Sequence, residues 1–116
     1  MTRHDDVLYF GHMLDMARTA RQIVSGVSRD QFDSDVTLQL ALVRALEVIG
    51  EAGRNVTVEG RTSLPSIPWP TIIAMRHRLA HDYINVDLSV VWDTVHNDLP
   101  LLIEILEDVV PPRPPD

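Results

Sequence analysis

Residues 36–49 read Val-Thr-Leu-Gln-Leu-Ala-Leu-Val-Arg-Ala-Leu-Glu-Val-Ile, a strongly periodic apolar stretch. Apolar residues recur here at steps of three and four, as on one face of an α-helix: Val36, Leu40, Val43, Leu46 and Ile49. A second set widens that face: Leu38, Ala41, Leu42 and Val48. The pattern predicts a helix over residues 35–55, capped near Asp33 or Ser34, that is buried on more than one side. Such a helix lies either at the centre of a bundle or in a dimer interface.

The same periodicity continues toward the N-terminus. Residues 5–25 are predicted to form a helix that stops at Gly26, with its apolar positions at Val7, Phe10, Leu14, Ala17 and Val24. Ser28 and Gln31 have the spacing of a capping box, which predicts a short helical turn around Phe32.

The middle of the chain contains helix-breaking residues. Residues 56–68 include one glycine and two prolines, so they are predicted to form a loop. A third long helix is then predicted from Trp69 to about Tyr83, because Pro70 suits the first turn of a helix. Gly50 and Gly53, near the end of the preceding helix, are expected to permit the close approach of another helix.

A fourth long helix is predicted from Leu88, with Asp87 as its N-cap. Pro100 lies inside this apolar stretch. Either the proline kinks the helix, or Asp98 caps a fresh start. The four prolines of residues 111–116 predict a stiff, non-helical tail.

Composition agrees with a helical fold. The chain has 116 residues, no cysteine and 5% aromatic residues. The absence of cysteine excludes disulfides, thiolate zinc sites and cysteine nucleophiles, and the few aromatics disfavour a β-sandwich. Four long helices without sustained two-residue alternation predict an all-α, up-and-down four-helix bundle. One domain is expected, over residues 1–110, followed by the proline-rich tail.

Charge is distributed unevenly. The net charge is −7, and all ten basic residues are arginine. Residues 40–80 carry five Arg and three Glu, whereas residues 81–116 carry one Arg and eight acidic residues. A globally acidic protein is a poor nonspecific nucleic-acid binder, so any phosphate chemistry is expected in the arginine-bearing middle. With no apolar run near the N-terminus or of membrane-spanning length, a cytoplasmic location is the default expectation.

Residues 75–83, Met-Arg-His-Arg-Leu-Ala-His-Asp-Tyr, concentrate reactive side chains near the end of the third long helix. Arg76 and His81 are five residues apart, about 140° around a helix axis. They can converge on one ligand at the helix end, or across a dimer axis. His77 and His81 share one face, and Arg78 lies between them in sequence.

Histidine and arginine together suffice for metal-independent cleavage of RNA. A histidine transfers protons near neutral pH, and an arginine clamps a phosphate and stabilises the extra charge of a pentavalent transition state. The ribose 2′-hydroxyl would be the nucleophile, so DNA could not react in this way.

Other interpretations of the same residues stay open. Arginines on a bundle surface are usually solvated, and histidines are favoured near a helix C-terminus. His77 and His81 could bind zinc, although the chain offers no obvious third ligand. The remaining candidates have simpler assignments, as surface residues (His4, His12 and His96) or as core or interface anchors (Trp69 and Trp92).

The spacing Arg76-x4-His81-x-Tyr83 resembles the R-x4-H-x-Y motif of HEPN proteins, specifically the HepT-like toxins of HEPN/MNT toxin–antitoxin pairs. Four further segments resemble that branch in the same order. They are Leu-Glu-Val-Ile-Gly-Glu-Ala at 46–52, the stretch Ile67–Arg76, Val86–Trp92, and Asn97–Pro100.

The resemblance implies an antiparallel four-helix bundle with a short extra helix, and a homodimer that brings two motifs into one cleft. It implies a metal-independent endoribonuclease without a cofactor, with RNA as substrate and Arg76 and His81 as the catalytic pair. The implied partner is an MNT-type nucleotidyltransferase antitoxin, which in part of the branch transfers AMP onto the motif tyrosine, here Tyr83. An adenylyl group there would add bulk and negative charge beside the catalytic pair.

Two positions depart from the family pattern. His77 stands where Asn is frequent, and it could serve as a second acid or base or, with Arg78, hold a phosphate. Asp82 stands where Gly is frequent, and its negative charge lies where RNA would approach. The alternative function is a non-catalytic helical partner of a nucleotidyltransferase, which the acidic residues 81–116 favour.

Overall fold

The computed structural model describes residues 2–81 and 86–112, without the side chains of residues 2–4, 80 and 81. These residues form helices and connecting turns, with no strand among them. The helices are α1 (Thr2–Ile23), α2 (Arg29–Asp33), α3 (Val36–Asn55), α4 (Val58–Ser63), α5 (Trp69–His81), α6 (Leu88–Asp93) and α7 (Leu99–Glu107), with a π-helical turn at Thr94–Asp98 between the last two. The predicted all-α class is confirmed.

Contacts between the long helices show that neighbours run antiparallel. The start of α1 meets the end of α3, where Asp6 accepts hydrogen bonds from Thr57. The end of α1 lies against the start of the last helix, since Arg21 donates to the carbonyl of Val95. Three residues earlier on α1, Arg18 pairs with Glu107, the last residue of α7. Helices α3 and α5 also pack together, and α3 is the most central element.

The core is mainly aliphatic, with Phe10, Phe32 and Trp69 as buried aromatic residues. Helices α1, α3 and the last helix supply most of it, including Met13, Leu14, Leu42, Leu46, Ile49, Leu102 and Leu106. The predicted face of α3 is only partly right, because Val36 and Leu40 are 64% and 62% exposed. The N-cap of α3 is Asp35, which accepts from the amide of Leu38 and lies directly after the predicted cap region of Asp33 and Ser34. Val7, assigned to the α1 face, is also exposed.

The predicted loop at residues 56–68 contains helix α4, so that prediction is wrong over Val58–Ser63. Thr57 caps this helix by accepting from the amide of Gly60 at 3.0 Å. Thr57 is itself held by Asp6, whose buried carboxylate accepts from the amide of Thr57 at 2.9 Å and from its hydroxyl at 2.6 Å. A contact over 51 residues, which local sequence does not reveal, therefore stabilises α4.

Other sequence predictions of local structure are confirmed. Ser28 and Gln31 form the predicted capping box of α2, and Asp87 caps α6. Gly26 follows the end of α1 with a φ of 74°, a left-handed conformation that favours glycine.

Pro100 is accommodated without a break in the last helix. The preceding residues widen into a π-helical turn, in which the amide of Leu99 donates to the carbonyl of Thr94. Pro100 then occupies the first turn of α7, where a missing amide costs little. Asp98 has helical backbone and makes no side-chain capping bond, so the alternative of a fresh start capped by Asp98 is wrong.

The helices of residues 2–81 and 86–112 range in length from 5 to 22 residues. None of these helices is both long and apolar enough to cross a membrane.

Helices α3 and α5 approach most closely at Gly50. A Cβ atom added at Gly50 would collide with the Cβ of Arg76 and would lie 3.0 Å from the carbonyl oxygen of Ile72. The backbone of α5 thus occupies the space that a side chain on α3 would fill. Gly53, also expected to permit close packing, would place an added Cβ at ordinary contact distances of 3.5 Å or more.

We predict that Gly50→Ala destabilises the protein by about 1–3 kcal/mol, because the two helices must separate to admit the methyl group. Intrinsic helix propensity acts in the opposite direction, by about 1 kcal/mol. The matched control is Gly11→Ala in α1, where the nearest atom to an added Cβ is 3.9 Å away. This control is expected to stabilise by about 0.5–1 kcal/mol. Urea unfolding followed by circular dichroism measures both, and stabilisation by both substitutions would contradict the close approach.

Candidate functional site

Helix α5 carries the predicted reactive residues, and its start is anchored against α4. The indole nitrogen of Trp69 donates to the carbonyls of Arg61 and Leu64, each at 3.1 Å. From this anchored start the helix continues to His81. Arg76 and His81 are therefore on one continuous helix, about 7.5 Å apart along its axis.

Arg76 is held between α5 and α3. Its Nε lies 2.8 Å from Oε2 of Glu51, and the side chains are 26% and 48% exposed. The neighbouring Gly50 contacts the base of the Arg76 side chain, as described above. The ion pair engages Nε, and a guanidinium carries four further N–H donors on its terminal nitrogens. This arrangement orients Arg76 while it keeps donors suited to a phosphate.

Arg76 borders two concave surfaces of opposite character. The first is a cleft of about 530 Å³ between α1, α3 and α5, lined by three carboxylates (Asp15, Glu47 and Glu51) and by Arg44 and Arg76. The second is a groove of about 810 Å³ that we call the arginine groove. It is lined by Arg54, Arg61, Trp69, Pro70, Ile73, Ala74, Arg76, His77 and Arg78. No Asp or Glu is among these described lining residues, so the groove has the charge that attracts phosphates.

The structure describes only part of the predicted site. His77 and Arg78 are exposed on α5 and line the arginine groove next to Arg76. The backbone of His81 ends α5, but its side chain lies outside the described residues. Tyr83 and Asp82 also lie outside them. The convergence of Arg76 with His81 and Tyr83 therefore stays a prediction.

Sequence reasoning missed Glu51 as the partner of Arg76. Glu51 lies in the segment 46–52 that resembles the family, directly after Gly50, and this proximity was the available signal. Arg54 and Arg61 were also missed as groove residues. Arg54 lies one turn after Gly50 on the same face of α3, so helix geometry could have predicted that it lies near the contact with α5.

The remaining histidines and tryptophans behave mainly as predicted. Trp69 is buried, and Trp92 packs against Phe32 with ring centroids 5.2 Å apart. His12 is not buried, but His96 differs from the surface role predicted for it. His96 stacks on Trp92 at 3.9 Å and contacts the carbonyl of Trp92 at 2.8 Å.

A metal site needs several ligand side chains grouped together among the described residues. They contain no group of three or more His, Asp or Glu residues arranged to hold a metal ion. The zinc alternative includes His81, whose side chain is outside this description, and so it stays untested.

Comparisons with known proteins converge on one family. The family model for HepT-like ribonucleases matches residues 13–109. "Putative RNase TTE0752" of Caldanaerobacter subterraneus subsp. tengcongensis is 33% identical over 102 residues, which cover 88% of this chain and 91% of that protein. "Probable ribonuclease HepT" of Thermococcus cleftensis is 42% identical over 73 residues, which cover 63% and 66%.

A third relative is matched over its whole length. "Putative RNase MJ1380" of Methanocaldococcus jannaschii is 28% identical over 109 residues, covering 94% of this chain and 100% of that protein. No solved structure matches the chain significantly. The family match covers most of the chain, including Gly50, Glu51 and the Arg76–His81 motif. The chain therefore belongs to the HepT-like ribonuclease family, whose HEPN motif its sequence resembles.

Proposed function

We propose that this protein is the toxin of a HEPN/MNT toxin–antitoxin pair and a metal-independent endoribonuclease. The observation that carries the proposal is Arg76, oriented by Glu51 at the edge of an arginine-lined groove and on the same helix as His81. Membership of a ribonuclease family supports RNA as the substrate class.

The proposed chemistry uses the substrate's own nucleophile. The 2′-oxygen attacks the adjacent phosphorus, a histidine accepts its proton, and the 5′-oxygen leaves with a proton. The P–O2′ bond forms as the P–O5′ bond breaks, so the products are a 2′,3′-cyclic phosphate and a free 5′-hydroxyl. Arg76 stabilises the additional negative charge of the pentavalent transition state, and His81 transfers protons. His77 and Arg78 are the auxiliary groups that contact phosphate or exchange protons.

A homodimer is part of the proposal, because two copies would bring two motifs into one cleft. Exposed Val36 and Leu40 support it, since they lie one turn apart on α3 and large apolar side chains in such positions favour an interface.

We predict that the purified protein, freed of any partner, cleaves RNA in the presence of EDTA. Arg76→Ala and His81→Ala should each lower the cleavage rate by about 10²-fold or more, because each removes transition-state stabilisation or proton transfer. Arg18→Ala is the control, since this surface arginine pairs with Glu107 away from the site. Cleavage that persists in both site variants would exclude this assignment, and 5′-phosphate products would indicate a different mechanism.

Glu51 is proposed as a positioning residue that acts through Arg76. We predict that Glu51→Gln lowers kcat about three- to tenfold with little change in KM, because the weakened ion pair lets Arg76 leave its transition-state position. The matched control is Glu47→Gln, one turn earlier on α3, where the carboxylate pairs with Arg44 instead. Steady-state kinetics on a fluorogenic RNA measures both. Equal effects of the two substitutions would argue against positioning by Glu51.

Control by an MNT-type nucleotidyltransferase antitoxin completes the proposal, with Tyr83 as the AMP acceptor. We predict that incubation with the partner and ATP adds the mass of one or more AMP groups, and that Tyr83→Phe abolishes the addition. The negative charge would repel RNA from Arg76. Intact-mass spectrometry measures the adduct, and equal adducts on Tyr83→Phe would place the acceptor elsewhere.

A second candidate function is a non-catalytic partner of the nucleotidyltransferase. The eight acidic residues of the segment 81–116 favour it, because such a surface suits a protein better than RNA. Stable association with the partner, together with no cleavage by the unmodified protein, would favour this candidate.

A further inference from the structure

The arginine groove extends well beyond Arg76. At one end, Arg61 adjoins the start of α5, because its carbonyl accepts from the indole of Trp69. At the other end is Arg78, nine residues further along α5, or about 13 Å along the helix axis. A single phosphate bound at Arg76 cannot occupy that length. The groove fits a ligand with several phosphates in sequence.

The arginines of the groove differ in whether other groups of the protein fix their side chains. A terminal nitrogen of Arg61 donates to the carbonyl of Arg54 at 3.0 Å, at the C-terminal end of α3. Arg61 therefore has a fixed position and a structural role in capping α3. Arg54 is exposed, and in the described part of the chain neither Arg54 nor Arg78 pairs with a carboxylate. Among the described residues, a ligand can therefore contact Arg54 without breaking an ion pair.

The apolar lining of the groove offers little to recognise bases. Its one tryptophan, Trp69, is buried and uses its indole N–H on backbone carbonyls. Base stacking requires an exposed aromatic face. The other floor residues, including Pro70, Ile73 and Ala74, offer no side-chain hydrogen bonds. Recognition here is expected to depend mainly on phosphate charge, with His77 as the exposed ring that could stack on a base.

We propose that the arginine groove binds the RNA strand on one side of the cleaved phosphate, with Arg54 and Arg61 contacting phosphates that are not cleaved. The inference rests on the proposed function and adds to it the path along which the RNA strand extends from Arg76. The opposite cleft is less favourable to the strand, because its three carboxylates (Asp15, Glu47 and Glu51) outnumber its two arginines, Arg44 and Arg76.

Binding of a short 2′-O-methyl RNA of about a dozen nucleotides tests the groove. The methyl group blocks the nucleophile, so binding is measured without cleavage, by fluorescence anisotropy at several salt concentrations. We predict that Arg54→Gln weakens binding about three- to tenfold and lowers the salt-dependence slope by about 0.7, as expected for one lost contact to a single strand. The loss should be similar for unrelated sequences, since Arg54 is proposed to contact a phosphate.

Two further variants distinguish loss of the Arg54 charge from a structural effect of the substitution. Arg54→Lys keeps the charge and should restore most of the affinity, whereas a purely structural role of Arg54 would not be rescued in this way. Arg18→Gln is the matched control, because it removes an exposed arginine outside the groove, and it should bind as the wild type does.

The outcomes distinguish this inference from the proposed function. Wild-type cleavage together with unchanged RNA binding by Arg54→Gln would overturn the groove and leave the ribonuclease. Weakened binding by Arg54→Gln in a protein that does not cleave RNA would support the groove and overturn the ribonuclease. Failure of the wild type to bind the RNA would overturn the groove. If Arg54→Gln abolishes binding to the nucleotidyltransferase but not binding to RNA, the groove is a contact surface for that protein. This result would also overturn the proposal that the groove binds RNA.

Discussion

The close contact between α3 and α5 at Gly50 is the constraint on which the candidate site depends. Without a side chain at this position, the Cα of Gly50 and the base of Arg76 lie against each other. The next residue of α3, Glu51, then reaches Nε of Arg76 at 2.8 Å. One small residue thus determines both the spacing of two core helices and the orientation of the guanidinium. A larger residue would move Arg76 away from its partner and from the groove.

The same contact gives Arg76 two different environments. On one side lies a cleft that contains Asp15, Glu47 and Glu51, and on the other lies a groove whose charged residues are arginines. A chain with a net charge of −7 can attract a polyanion only through such local separation of charge. The uneven distribution seen in residues 40–80 is the sequence counterpart of this arrangement.

Sequence periodicity was sufficient to predict the long helices, because burial of one face requires a three-to-four-residue repeat. It failed for α4, whose six residues contain little pattern and depend on Asp6, 51 positions earlier. Helix geometry and family resemblance identified Arg76 as a candidate, but neither predicted the ion pair with Glu51. Packing between helices, and the exposure of Val36 and Leu40, depend on which faces meet in three dimensions. The arginine groove was missed for the same reason, since α3, α4 and α5 each contribute to it.

The central claim is that Arg76 receives the phosphate that is cleaved, with the RNA strand continuing along the arginine groove. A crystal structure with a short RNA, in which one 2′-hydroxyl at the cleavage position is replaced by hydrogen, tests it most directly. The account predicts a phosphate oxygen within hydrogen-bond distance of a terminal nitrogen of Arg76, the His81 ring near the modified ribose, and adjacent phosphates beside Arg54 and Arg61. An RNA strand bound away from Arg76 would contradict the account.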